Sequence, residues 1–179
     1  MTNLIILDRD GVINHDSLQY IKSREEFIFL PGSLEAIAKL TAADYKIAIA
    51  TNQSGVSRGY YDSEQLAGIH QKLMKEVQKM GGTIDFIAYC PHLPESGCFC
   101  RKPQPGMLLA IARHFHCSLA NVPFIGDRIT DIQAAEAVGA SPMMVISPMT
   151  NQQQLTAYPH IPVFDSLADC VQQILSKNE

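Results

Sequence analysis

Asp8 and Asp10 stand two positions apart, directly after Leu4-Ile5-Ile6-Leu7 and directly before Gly11. Four aliphatic residues in a row read as a strand buried on both faces. At the carboxyl end of a parallel strand, acids open into the crevice where α/β sheets bind ligands. Two carboxylates there can hold Mg²⁺ through oxygen. One can act as a nucleophile and the other as an acid. On Asp-x-Asp-Gly alone, a turn with solvated acids is an equal reading.

Two further strand ends are polar. Lys46-Ile47-Ala48-Ile49-Ala50 runs into Thr51-Asn52-Gln53-Ser54-Gly55. Val122–Ile125 runs into Gly126-Asp127-Arg128-Ile129-Thr130-Asp131. In a parallel sheet those ends share one edge, and Arg101-Lys102 can reach it. Asp127 and Asp131 are four apart and can project from one helix face; a solvated or capping carboxylate is the other reading of Asp131. Phosphoryl transfer uses such a set. A divalent cation offsets the repulsion between a carboxylate and a phosphate. A lysine and backbone N–H groups take up the transition-state charge. A second carboxyl must donate a proton to the leaving oxygen, which asks for a raised pKa.

Cys90, His92, Cys98 and Cys100 place three thiols and an imidazole within eleven residues. That set suits a closed, structural Zn²⁺ site in a reducing compartment; a disulfide or loose thiols is the alternative. Arg101 and Lys102 follow the last ligand, so fixing Cys100 also fixes the basic pair.

Strand-like and helix-like segments alternate along the 179 residues. The pattern predicts one α/β domain over 1–179, a Rossmann-like doubly wound parallel sheet with crossover helices. Helices are expected from Pro31-Gly32-Ser33, with Leu34, Ile37, Ala38 and Leu40 inward, and from Asp62-Ser63 to about Met80. Others begin at Pro105-Gly106, with Leu108, Leu109 and Ile111 inward, then around Ile132–Val138, and over Ser166–Ser176. Leu66, Ile69, His70, Leu73, Met74 and Val77 form a helical stripe, in which His70 reads as a core or boundary histidine. Strands are expected at Ile84–Tyr89 and Met143–Ile146, and Ser147–Pro162 reads as irregular. Net charge is −4, which argues against long nucleic acid as a partner. Met1-Thr2-Asn3 lacks a basic leader, and no apolar run reaches membrane-spanning length. A cytoplasmic protein, expected as a monomer, follows.

Asp8-Arg9-Asp10-Gly11, Thr51-Asn52-Gln53-Ser54-Gly55, Arg101-Lys102-Pro103 and Gly126-Asp127-Arg128-x-x-Asp131 resemble the four ordered motifs of haloacid dehalogenase-type phosphatases. With the Cys/His cluster added, the chain is similar to the D-glycero-D-manno-heptose 1,7-bisphosphate 7-phosphatase family within them. The resemblance implies a Mg²⁺-dependent phosphatase, acting on a small phosphorylated sugar in the supply of a bacterial surface-glycan (lipopolysaccharide core) precursor. It implies that Asp8 is the nucleophile and that Asp10 is the acid and then the base. Asp8, the Asp10 carbonyl and Asp127 would hold Mg²⁺, while Thr51 and Lys102 stabilise the phosphoryl group. Asn52 and Arg101 would contact substrate, and Asp16, Gln53, Ser54 and Arg128 join them as substrate-binding candidates. The short gap between the first two motifs leaves no room for a large cap domain. The loop after Asp10 is slightly longer than in familiar members, the His92–Cys98 stretch is short, and Arg128 stands where some members carry lysine. Histidinol-phosphate phosphatases share both aspartates and zinc loop and are the nearest rival reading. A polynucleotide end phosphatase is disfavoured by charge. A catalytically silent, zinc-stabilised binding module is the rival of another class.

Overall fold

A computed structural model describes residues 3–177; Met1 and Thr2, part of the leader reading, lie outside it. The chain runs β1 (Leu4–Leu7), α1 (Ser33–Ala42), β2 (Lys46–Asn52), α2 (Ser63–Lys79) and β3 (Phe86–Cys90). It continues through α3 (Gly106–Phe115), β4 (Pro123–Gly126), α4 (Ile129–Ala137), β5 (Ser141–Val145), α5 (Gln152–Leu155), β6 (Val163–Phe164) and α6 (Leu167–Ser176). The strands form one parallel sheet in the order β3-β2-β1-β4-β5-β6. That order reverses direction between β1 and β4, which opens a crevice at their carboxyl ends.

Every residue of β1 is buried, as a central parallel strand requires. Ile5 and Leu7 pack on one face with Ile37, Leu40, Ile69, Leu73, Val171 and Ile174 from α1, α2 and α6. Leu4 and Ile6 pack on the other face with Met107, Leu108, Ile111, Ala134 and Ala135 from α3 and α4. Helices therefore cover both faces. No large cap is inserted between β1 and β2, and the segment after β3 is a small cysteine-rich loop.

Some inward faces differ from the sequence reading. On α1 the buried set is Ser33, Ala36, Ile37 and Leu40, so Ala36 takes the place expected of Ala38. Met74 and Leu109 are 43% and 39% exposed. Each lies outside the buried face of its helix, which is Leu66, Gly68, Ile69, His70, Leu73 and Val77 on α2 and Met107, Leu108 and Ile111 on α3. The stretch read as irregular contains α5, and the two-residue edge strand β6 follows it. Neither is long enough to show a periodicity. Among the described residues, no helix is long and apolar enough to cross a membrane.

Candidate active site

Register brings the polar strand ends together. Leu7 pairs with Ile49 on β2 and with Ile125 on β4. Asp8, Thr51 and Asp127 therefore leave the sheet at the same edge. Lys102 Nζ reaches this point, 3.1 Å from Asp8 Oδ1 and 2.7 Å from Asp131 Oδ1. It also donates to the Ala50 carbonyl at 2.7 Å. Burial alone would lower the lysine pKa; Asp131 and Asp8 outweigh it and hold the ammonium above its ordinary value. Asn52 sets the lysine's backbone: its Oδ1 accepts from Lys102 N–H and its Nδ2 donates to Lys102 C=O. Asp8 is 6% exposed. Burial, then the Asp131 charge, push its carboxyl well above the usual range against the pull of Lys102.

Asp10 departs from the sequence expectation. Burial would raise its pKa, but Arg9, Asn14 and Gln53 overcome it and hold the carboxyl below the ordinary value. Oδ1 accepts from Arg9 at 2.9 Å and from Asn14 Nδ2 at 2.8 Å. Oδ2 accepts from Gln53 Nε2 at 2.8 Å. Hydrogen bonds to the ionised form favour it. The proton expected on this residue is thus not held there before substrate binds. Thr51 is 1% exposed, and its hydroxyl accepts from the same Gln53 amide at 2.9 Å.

Asp127 is fully buried. Ser147 Oγ donates to its Oδ2 at 2.5 Å, and Thr150 Oγ1 donates to its carbonyl at 2.6 Å. Its Oδ1 has no hydrogen-bond partner. Burial, then Asp131, push this carboxyl up to about 7. Gly11 makes room for it: a Cβ there would stand 2.1 Å from Asp127 Oδ2, and the glycine has φ +82°. Asp8, Asp127 and Asp131 each place a carboxylate oxygen within 4.8 Å of the others. A buried, orphaned carboxylate oxygen in a three-acid cluster fits a hard divalent cation.

Asp127 and Asp131 do not share a helix face. Asp127 lies in the turn before α4, and Asp131 lies in its first turn. Asp131 Oδ2 accepts from the N–H groups of Asp127 and Arg128, at 3.1 and 3.0 Å. Asp131 is therefore capping and at the same time 3% exposed, not solvated. It holds both the turn that carries Asp127 and the head of Lys102. The sequence places Asp131 in the strand-end cluster without a role, and marks neither Ser147 nor Arg9 as a site residue. Ser147 follows β5, so its strand-end position was the available signal. No local pattern marks a fully buried arginine.

Above this floor lies a cleft of about 850 Å³, lined by Asp16, Asn52, Gln53, Ser54, Arg101 and Arg128 among others. Arg128 donates to Asp16 Oδ2 at 2.7 Å, joining the loop after β1 to the start of α4. Arg101 extends along the cysteine loop toward the His92 carbonyl, 3.4 Å away.

Cys90, His92, Cys98 and Cys100 gather their ligand atoms within 4.8 Å of one another. Cys90 Sγ lies 3.4 Å from His92 Nδ1 and 3.7 Å from Cys98 Sγ, and Cys100 Sγ lies 3.2 Å from the imidazole. All of the described cysteines are free thiols. Spacings of this size are those of ligands around one tetrahedral ion with Zn–S near 2.3 Å. Cys90 is paired in register with Asn52, which itself clamps Lys102. The loop is therefore tied to the catalytic edge at both ends.

D-glycero-beta-D-manno-heptose-1,7-bisphosphate 7-phosphatase of Pseudomonas putida is 47% identical over 176 residues, 96% of this chain and 99% of its own length. The chain belongs to the heptose-bisphosphate phosphatase family. The family model described as HAD-hydrolase-like matches residues 99–170. A D-glycero-alpha-D-manno-heptose-1,7-bisphosphate 7-phosphatase from Campylobacter jejuni is 44% identical over 133 residues, 74% of this chain and 76% of its own. Among solved structures, D,D-heptose 1,7-bisphosphate phosphatase from B. bronchiseptica, complexed with magnesium and phosphate, superimposes with a TM-score of 0.91. It is 46% identical and covers 99% of both chains.

Proposed function

We propose that this phosphomonoester hydrolase removes the 7-phosphate of D-glycero-D-manno-heptose 1,7-bisphosphate, a step toward lipopolysaccharide core precursors. The observation that carries the chemistry is the buried Asp8–Lys102–Asp131 contact beside Asp127. The substrate is supported by full-length relatives of that name.

Asp8, the Asp10 carbonyl and Asp127 would hold Mg²⁺, which when bound offsets the repulsion between carboxylate and phosphate. Asp8 Oδ1 is taken by the Arg9 N–H and by Lys102. Oδ2 is therefore the attacking atom, forming an aspartyl-phosphate as the sugar oxygen leaves. Lys102 and Thr51 face the charge that develops on the phosphoryl oxygens. Asp10 starts as an anion; incoming phosphate charge raises its pKa, so that it takes a proton from solvent as substrate binds and gives it to the leaving oxygen. Returned to the anion, it takes a proton from the water that hydrolyses the aspartyl-phosphate. Arg101, Asn52, Gln53, Ser54, Asp16 and Arg128 border the space for the sugar. Cys90, His92, Cys98 and Cys100 would hold a structural Zn²⁺.

The test is Mg²⁺-dependent phosphate release from the heptose bisphosphate, from histidinol phosphate and from other sugar phosphates, with Asp8→Asn as control. Preferred turnover of the bisphosphate, abolished in the variant, is the expected result. Preferred turnover of histidinol phosphate would overturn the substrate assignment. Unchanged turnover in Asp8→Asn would overturn the mechanism.

A further inference from the structure

Tyr61 and His70 lie outside the motifs, yet both connect to Asp10 through one intermediate residue. Tyr61 is 3% exposed, and its hydroxyl donates to Gln53 Oε1 at 2.6 Å. The other end of that amide donates to Asp10 Oδ2 and Thr51 Oγ1. An ionised carboxylate only accepts, so the amide turns its donor end to Asp10, and the tyrosine hydroxyl, donating, satisfies the acceptor end behind it. A flipped amide would set an oxygen against the Asp10 anion.

Arg9 does the same work on the other carboxylate oxygen. It is fully buried, with Phe27 5.5 Å from its guanidinium. One amino group donates to Asp10 Oδ1, and the other lies 3.1 Å from His70 Nε2. Burial, then the arginine charge, push His70 down to about 3, so it is a neutral acceptor at ordinary pH. Tyr61 precedes α2 and His70 lies on it. Gly55 admits this packing: a Cβ there would meet the Tyr61 ring at 2.2 Å.

We propose that Tyr61 and His70 are positioning residues that hold the Asp10 carboxylate in place from behind, through Gln53 and Arg9. The inference rests on the function proposed above, in which Asp10 serves the leaving group. Neither residue lines the cleft. Without the Tyr61 hydroxyl, Gln53 Oε1 is left buried and unpaired, a state that proteins avoid. The side chain is then released toward the cleft and takes its donor away from Asp10. Without His70, the Arg9 amino group loses its acceptor and the fork that grips Oδ1 loosens.

The experiment compares kcat/KM of Tyr61→Phe and His70→Leu on two substrates, the heptose bisphosphate and p-nitrophenyl phosphate. The aryl leaving group departs without a proton; the sugar oxygen needs one. The expected result in each variant is a loss of about tenfold or more on the sugar phosphate, with less than about twofold on the aryl phosphate. In a Gln53→Ala background, Tyr61→Phe is expected to have no further effect. Equal losses on both substrates, or no loss on either, would overturn the proposal. Should His70→Leu fail to fold, Tyr61→Phe decides alone, since it removes one hydroxyl and keeps the ring against Gly55. Wild-type protein inactive on the heptose bisphosphate would instead refute the function on which the inference rests.

Discussion

The Lys102 ammonium sits 3.1 Å from the Asp8 carboxylate and 2.7 Å from that of Asp131, with all three side chains nearly excluded from solvent. One cation thus serves two buried anions. Removing one partner of such a group leaves uncompensated buried charge, at about 3–5 kcal/mol. Lys102→Met is expected to lower stability by that order and to reduce phosphate release by at least about a hundredfold. Thermal melting and steady-state kinetics on the same preparation check both.

Asp127 gives a pH dependence with a definite sign. Its carboxyl is pushed up to about 7 by burial and by Asp131. The unfolded value is about 3.9, so between about pH 4 and 7 the folded state binds more protons than the unfolded state. Stability from this group is therefore full at low pH and lost as pH rises through the window. Asp127→Asn lacks this dependence. In metal-free buffer its melting temperature should gain on wild type as pH climbs. Added Mg²⁺ should raise the wild-type melting temperature most near neutral pH and leave the variant nearly unchanged. A gap between the two proteins that does not vary with pH would contradict this.

The cysteine loop should act on binding more than on folding. Cys98 lies on the cleft wall, near Arg101 in sequence, while the loop's first ligand sits in the β3–β2 ladder. Cys98→Ala is expected to abolish zinc retention, raise KM several-fold and leave far-ultraviolet circular dichroism unchanged. Metal analysis by mass spectrometry, run beside the kinetics, tests this. Normal KM and kcat with zinc confirmed absent would remove the loop from the binding argument.

Arg128 and Asp16 form an ion pair whose arginine is half exposed. Such a pair contributes about 0–1 kcal/mol to stability. Arg128→Ala should hardly alter the melting temperature. If the arginine contacts a second phosphate on the substrate, KM for the bisphosphate should rise about tenfold or more, and KM for p-nitrophenyl phosphate should not. Equal KM changes on both would mean that the arginine only holds the loop after β1.

Much of this protein is legible without coordinates, because its evidence is local. A strand followed by acid, acid and glycine, two further polar strand ends, and four candidate metal ligands within eleven residues can all be read from spacing. A parallel sheet then places every strand end on one edge, which the order β3-β2-β1-β4-β5-β6 bears out. Partnership across the fold is different in kind. Asp131 belongs to a strand-end cluster in the sequence, but its role is open until Lys102, 29 positions earlier in the chain, is folded against it. The acid role asks for a raised pKa at Asp10, yet Arg9, Asn14 and Gln53 lower it. Nothing in the local sequence sets Arg9 apart, yet packing turns it inward onto Phe27 and His70. Backbone periodicity and ligand spacing are written along the chain; the solvation and charge environment of a buried group depends on atoms that only folding brings near.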